Sequence, residues 1–212
     1  MTAIRQAYLL AARSAVTLLR EPALAERWTQ PSVLPEFSVH GLAGHLASQV
    51  LNVPRALAQD IPDEPPIRLL THYARSTWRG AEPDAEINVM IRRAGEDIAT
   101  DGAAALASRT ETVTEELATR FETEPANRVV HFRPGPWPLY LDDFLRTRML
   151  EIAVHSDDLA SSMGIDTPDL PDKVLAPVLN VLTKLAVRQH GQAAVLRTLS
   201  RAERAPDSIA AL

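Results

Sequence analysis

A chain of 212 residues that is 46% hydrophobic can form one buried core with a small extension. Its formal net charge of −5 argues against a broad basic face for nucleic acid, and no run of about 18 apolar residues offers a membrane span. With no cysteine, the chain has no disulfide, no thiol nucleophile and no cysteine-type zinc site, so a metal would be held by His, Asp and Glu. Thiol chemistry here would need the thiol to arrive as a cosubstrate.

The opening stretch, MTAIRQAYLLAARSAVTLLREP, is apolar enough to suggest a secretion signal. Charges recur through it, however, and a helical period runs on to Leu19, so it reads as a first helix over residues 2–20. Ile4, Tyr8, Ala11, Ala15, Leu18 and Leu19 face inward, and Glu21-Pro22 ends it. That reading favours a cytoplasmic protein. A loop from Trp28 through Pro31 and Pro35 leads to Ser38, which has the chemistry of a helix N-cap. The second helix, SVHGLAGHLASQVLNVPRAL, carries an apolar stripe of Leu42, Leu46, Val50, Val53 and Leu57. Gly41 and Gly44 weaken this helix but let another helix approach closely, and Pro54 is placed to bend its end.

Residues 58–84 are proline-rich and form a long crossover with one short helix near Ile67–Trp78. Helix is expected from Glu86 to Phe121, broken near Asp101-Gly102. Prolines at 125, 134, 136 and 138 rule out helix in the next segment, where a short extended piece over Arg128–Phe132 fits. The clearest amphipathic helix follows, YLDDFLRTRMLEIAVHSDDLASSMG, closed by Gly164 as its C-cap. Further helices are expected over Pro171–His190 and Gln192–Ser200. Four long helices with a long crossover between the second and third predict an all-α four-helix bundle over residues 1–165. Residues 166–212 are then a short helical extension packed on its outside.

At about 100° per residue, Leu141, Leu145, Ile152 and Leu159 form the buried stripe of the 140–163 helix. Arg148 lies roughly 40° from its centre, His155 roughly 60°, and Glu151 about 100° away on the same flank as His155. Polar groups beside an apolar face are costly unless paired or bound to metal. Glu151 and His155 are four residues apart, which lets a carboxylate oxygen and an imidazole nitrogen converge on one ion. The spacing alone is weak, and a satisfied Glu–His or Arg–Glu pair is the structural alternative. His45 is a boundary residue of the second helix, one turn before Gln49, and His40 lies on another side. His72, His131 and His190 show no obvious partner in the sequence, and Ser156 points away from His155 on the helix. The chain has no glycine-rich phosphate loop, no GxSxG and no HExxH.

Two segments carry a family resemblance. Trp28 followed by SVHGLAGHLASQ, and TRMLEIAVHSDDLA with its Arg-x-x-Glu-x-x-x-His-x-x-Asp-Leu pattern, resemble the N-terminal domain of mycothiol-dependent maleylpyruvate isomerases. These belong to the DinB-like superfamily of metal-binding four-helix bundles. The resemblance covers residues 1–165 and implies a divalent metal on His45, Glu151 and His155, usually zinc, with nickel, iron or manganese compatible with two histidines and a glutamate. It implies mycothiol or a similar low-molecular-weight thiol as cosubstrate at the open coordination position. It also implies an arginine that holds a substrate carboxylate, for which Arg75 is a positional candidate; Arg148 matches the family's fourth-helix motif and favours a structural pairing with Glu151 or a neighbour, with anion binding as its alternative. Asp158 is the motif's aspartate, placed for a hydrogen bond to a ligand or for a capping contact.

The family's isomerases continue into an α/β domain, whereas the residues after Gly164 here read as helix. The resemblance therefore speaks for the bundle and the triad more than for one reaction. The function expected is an isomerase or S-transferase acting on a small electrophile. A hydrolase using metal-bound water and a non-catalytic, metal-stabilised helical module are the alternatives. Partners would be a small substrate and the thiol, with neither nucleic acid nor membrane, and a homodimer is compatible with the size.

Overall fold

The computed structural model describes residues 1–76, 82, 84–132, 135 and 137–212. Helix dominates it, as the periodicity predicts. Helix α1 spans Ala3–Leu19, and the Thr2 hydroxyl caps it by accepting from the Arg5 amide at 3.3 Å. Tyr8, Ala11, Ala15, Leu18 and Leu19 are buried, while Ile4 is half-buried at the margin of the core. Pro22 ends α1 and then opens a five-residue helix, α2 (Pro22–Glu26), in a stretch before the Trp28 loop to which the sequence reading assigns no element. A proline in the first turn loses no hydrogen bond, and burial of Leu24 holds this turn against the bundle.

Helix α3 spans Val39–Leu51 with Ser38 as its N-cap, the hydroxyl accepting from the Gly41 amide at 3.1 Å. Pro54 starts a new helix, α4 (Val53–Ala58), rather than bending α3, because the helical hydrogen bonding breaks at Asn52. The crossover holds α5 (Leu69–Arg75), and the expected end of this helix at Trp78 lies outside the described residues. Next come α6 (Glu86–Ile98) and α7 (Ala103–Thr123), parted at Gly102, whose φ of 89° favours glycine. Val129–Val130 (β1) pairs antiparallel with Leu139–Tyr140 (β2), a partner strand that the sequence reading did not foresee. Helix α8 runs Leu141–Met163 and ends on Gly164 in the left-handed conformation, φ 72°. Helices α9 (Asp172–His190) and α10 (Gln192–Ser200) and a 3-10 turn at Ala202–Arg204 complete the chain.

The bundle packs α1 against α7 and α8, and α3 against α7 and α8, around one large apolar core. Helices α3 and α6 approach closely, and the approach rests on glycine. A Cβ on Gly44 would lie 1.9 Å from the Gly95 carbonyl oxygen, and one on Gly95 would lie 2.3 Å from the Gly41 oxygen. The two backbones therefore meet directly, which is the physical use of the glycines in SVHGLAGH. Helix α9, of 19 residues, lies on α8 and α1 and sends Val174 and Val178 into the main core. A second, smaller core joins Tyr73 of α5, Leu150 of α8, Val181, Leu185 and Ala186 of α9, Val195 of α10 and Ala211 of the tail. No helix among the described residues is long and apolar enough to cross a membrane.

One charged group sits fully inside. The Arg5 guanidinium bonds Asp142 Oδ1 at 3.0 Å, the Glu124 carbonyl at 2.6 Å and the Pro125 carbonyl at 2.7 Å. It ties the start of α1 to the residues just after α7 and to the start of α8 through charge-assisted hydrogen bonds.

Candidate metal centre

Leu145, Ile152 and Leu159 bury one stripe of α8 in the core. The 3.6-residue period then sets Glu151 and His155 on the flank that meets α3, where His45 projects. The three side chains are 15–17% exposed, so the site borders the core without being sealed. His155 Nε2 lies 3.2 Å from Glu151 Oε2, and His45 Nε2 lies 3.9 Å from the same oxygen. The two imidazoles meet edge to face with centroids 4.6 Å apart. One donor atom from each of the three residues falls within 4.8 Å of the others, an arrangement that could hold a metal ion. Ligands bonded at about 2.0–2.1 Å in a tetrahedral site lie roughly 3.3 Å from one another. The donor set therefore needs little adjustment to close on a divalent ion.

Behind His155, the Nδ1–H donates to Asp158 Oδ2 at 3.0 Å. This bond fixes the ring orientation and leaves Nε2 toward Glu151 and His45. Burial disfavours the charge on His155, but the hydrogen bonds to Asp158 and Glu151 outweigh it and raise its pKa to about 9. Burial likewise opposes ionisation of Glu151, yet the hydrogen bonds from His155 and His45 hold it far below the usual carboxylate range. His45 is shifted down, chiefly by burial. Without metal the site is thus an imidazolium held between two carboxylates beside a neutral imidazole.

A second polar layer lies beyond the triad. Gln49 donates from Nε2 to the His45 carbonyl at 2.9 Å and accepts at Oε1 from Arg148 Nη1 at 2.8 Å. Arg148 also donates from Nε to Thr147 Oγ1 at 3.0 Å and lies 5.1 Å from the Phe144 ring centroid. No carboxylate pairs with Arg148 among the described residues. Tyr8, which donates to the Gln49 carbonyl at 3.1 Å, stays a neutral phenol because burial raises its pKa.

Arg75 is farther out. It is exposed, and its guanidinium lies 5.6 Å from the Trp137 ring centroid. Trp137 in turn donates its indole N–H to His72 Nδ1 at 3.0 Å. The sequence left His72 without a partner. The fold supplies one 65 positions away, because Ile67 donates to the Pro138 carbonyl at 3.1 Å and sets the start of α5 beside the strand that follows Trp137. The His72–Trp137 bond is a contact that periodicity could not bring together. The remaining histidines lie elsewhere: His40 Nδ1 is 3.1 Å from the Trp28 carbonyl, His131 Nε2 is 2.7 Å from the Gly135 carbonyl, and His190 Nε2 is 2.8 Å from the Ala210 carbonyl. Ser156 makes no hydrogen bond to His155 and is buried, as its direction on the helix predicts.

Facing helices of a bundle that present an imidazole–carboxylate–imidazole cluster, with one ligand backed by a further carboxylate, define a candidate divalent-metal protein of the helical-bundle class. The model of the mycothiol maleylpyruvate isomerase N-terminal domain matches residues 9–160. The chain belongs to that family. Neither the curated proteins nor the solved structures provide a match.

Proposed function

We propose that this protein is a metal-dependent enzyme that uses a low-molecular-weight thiol, mycothiol or one like it, for isomerisation or S-transfer on a small electrophile. The observation that carries the reading is the convergence of His45, Glu151 and His155 from two helices, with Asp158 holding His155 in the ligating orientation. The family's name supplies the link to mycothiol and to isomerisation. The donor set fits a divalent ion such as zinc: two borderline nitrogen ligands and one oxygen from the protein leave a coordination position open, the pattern of a catalytic rather than a structural site.

A metal bound there would lower the pKa of a thiol, so that thiolate is available at neutral pH. The chain's own residues do the rest. Asp158 keeps the His155 Nδ1 proton, Glu151 supplies negative charge, and Gln49 ties the α3 backbone at His45 to Arg148. Arg148, with no carboxylate partner among the described residues, brings a positive charge to the edge of the site, suited to a substrate carboxylate. We assign residues 1–165 to this metal-binding bundle and residues 166–212 to a helical extension packed on it. The total absence of cysteine is consistent with a nucleophile supplied from outside.

The test is incubation of zinc-loaded protein with a thiol and an activated alkene, followed by mass spectrometry of the small molecules. Thiol-dependent conjugation or isomerisation is expected. Turnover that proceeds equally without thiol would replace this reading with metal-assisted hydrolysis.

A further inference from the structure

His72 belongs to none of the motifs that mark the metal cluster, yet the fold builds a setting for it. Tyr73, its neighbour on α5, packs with Leu150 and Val154 of α8, which flank Glu151 in sequence. His72 therefore stands on an element docked at the level of the triad. Its ring lies edge to face against Trp137, centroids 6.0 Å apart, and its Nδ1 accepts the Trp137 indole proton. An indole nitrogen only donates, so the neutral imidazole must carry its proton on Nε2. Among the described residues nothing accepts that Nε2 proton. Burial, with the nearby Arg148 charge, lowers the pKa of His72 to about 4 and keeps it neutral. The charges of Arg148 and Glu151 both act on the ring, the first opposing and the second favouring its protonation. Arg148 is half-buried and has no carboxylate partner among the described residues.

We propose that His72 is a substrate-contacting hydrogen-bond donor, held in the Nε2–H tautomer by Trp137, that together with Arg148 binds an oxygen of a small unsaturated carboxylate beside the triad. This assignment rests on the proposed thiol-dependent function for its chemistry. Its role there is defined by what the ring can do. With Nδ1 occupied and Nε2 protonated, it does not accept a proton, so it is no general base. It stabilises negative charge instead. When a thiolate adds to the alkene carbon β to a carbonyl, a C–S bond forms and the π pair moves onto the carbonyl oxygen. The Nε2–H hydrogen bond strengthens as that oxygen becomes an enolate. Rotation about the former double bond and return of the electron pair re-form C=C and expel the thiolate, so the thiol is unchanged and no proton is lost from His72. A neutral imidazole is suited to this work because a donor, not an acid, is required. Arg75, its guanidinium over the Trp137 ring, helps to hold the indole in place and acts through it as a positioning residue.

The experiment uses the full chain, zinc-loaded and labelled with nitrogen-15, with maleate as the probe. Imidazole nitrogen shifts should show His72 protonated at Nε2 and not at Nδ1, and maleate should move the Nε2 signal. His72→Asn keeps an acceptor for Trp137 but removes the Nε2 donor. It should weaken maleate binding about tenfold in calorimetry with zinc content unchanged, and Trp137→Phe should weaken it by a smaller factor. An Nδ1–H tautomer, an imidazolium at pH 7, a His72 signal indifferent to maleate, absence of maleate binding at millimolar concentration, or wild-type affinity in His72→Asn would each overturn the assignment. Zinc content and thiol conjugation by the wild-type protein are read separately. If those fail while the His72 results hold, the thiol-dependent function falls and the anion-binding role of His72 stands.

Discussion

His155 Nδ1 and Asp158 Oδ2 lie 3.0 Å apart, three residues apart on α8, and this bond aims the other ring nitrogen at Glu151 and His45. A carboxylate behind a ligand histidine fixes its tautomer and increases its basicity. Asp158→Asn keeps the shape and removes the charge. It is expected to weaken zinc binding by about 10–100-fold, measured by competition with a chromophoric chelator, while the circular dichroism spectrum stays that of the wild type. Unchanged zinc affinity would show that Asp158 serves only the helix.

The same carboxylates shape the pH dependence. In metal-free protein the His155 pKa is raised to about 9, above the ordinary value of 6.5. The stability it contributes is therefore fully present below about pH 6.5 and lost as pH rises through 9. A metal bound at Nε2 would replace that proton, so this loss should appear in thermal melts of the metal-free protein between pH 7 and 9.5 and be absent from the zinc-loaded form. Zinc must also displace the proton, so its apparent affinity should fall about tenfold for each pH unit below 9 in this range. A pH-independent affinity between 6.5 and 8.5 would contradict the arrangement.

The α3–α6 crossing sets where His45 stands. Gly44→Ala would drive a methyl to within 1.9 Å of the Gly95 carbonyl oxygen, a backbone atom that cannot swing aside. Forced separation of the helices should cost about 3 kcal/mol, at the upper end for overpacking. Because Gly44 adjoins His45, zinc affinity should fall along with the denaturation midpoint. A stability change under about 0.5 kcal/mol would mean that the helices pack less tightly than described.

Arg5 supplies an independent check of the bundle itself. Its fully buried guanidinium serves Asp142 and two carbonyls at the end of α7. Arg5→Met should destabilise the protein by about 3 kcal/mol, since it removes the guanidinium from Asp142 and the Glu124 carbonyl. The zinc stoichiometry of the folded fraction should not change, because Arg5 makes no contact with the triad.

What the sequence made legible follows from the range of each interaction. The flank shared by Glu151 and His155 is a property of one helix, so its period shows it. Ser38 and Gly164 likewise cap their helices through local chemistry. The α2 turn escaped because Pro22 both stops one helix and starts another, and only burial of Leu24 decides which. The pairing of Val129–Val130 with Leu139–Tyr140 escaped because a two-residue strand has no readable period. At the site, His45 comes to the α8 pair through the packing of α3 on α8, which periodicity leaves open and the family resemblance anticipates. His72 needs Trp137, 65 residues on, and no local pattern announces that bond. Arg75 was placed by analogy of position, and the fold sets it on Trp137.

The central claim is that His45, Glu151 and His155 together hold one divalent metal ion. Elemental analysis of freshly purified wild-type protein and of His45→Ala and His155→Ala, combined with zinc titration of the metal-free forms, tests it most directly. About one metal per chain in the wild type, falling below a tenth in either variant while the fold persists, is the expected result. Less than half a metal per chain in the wild type, or a content that His155→Ala leaves unchanged, would contradict it.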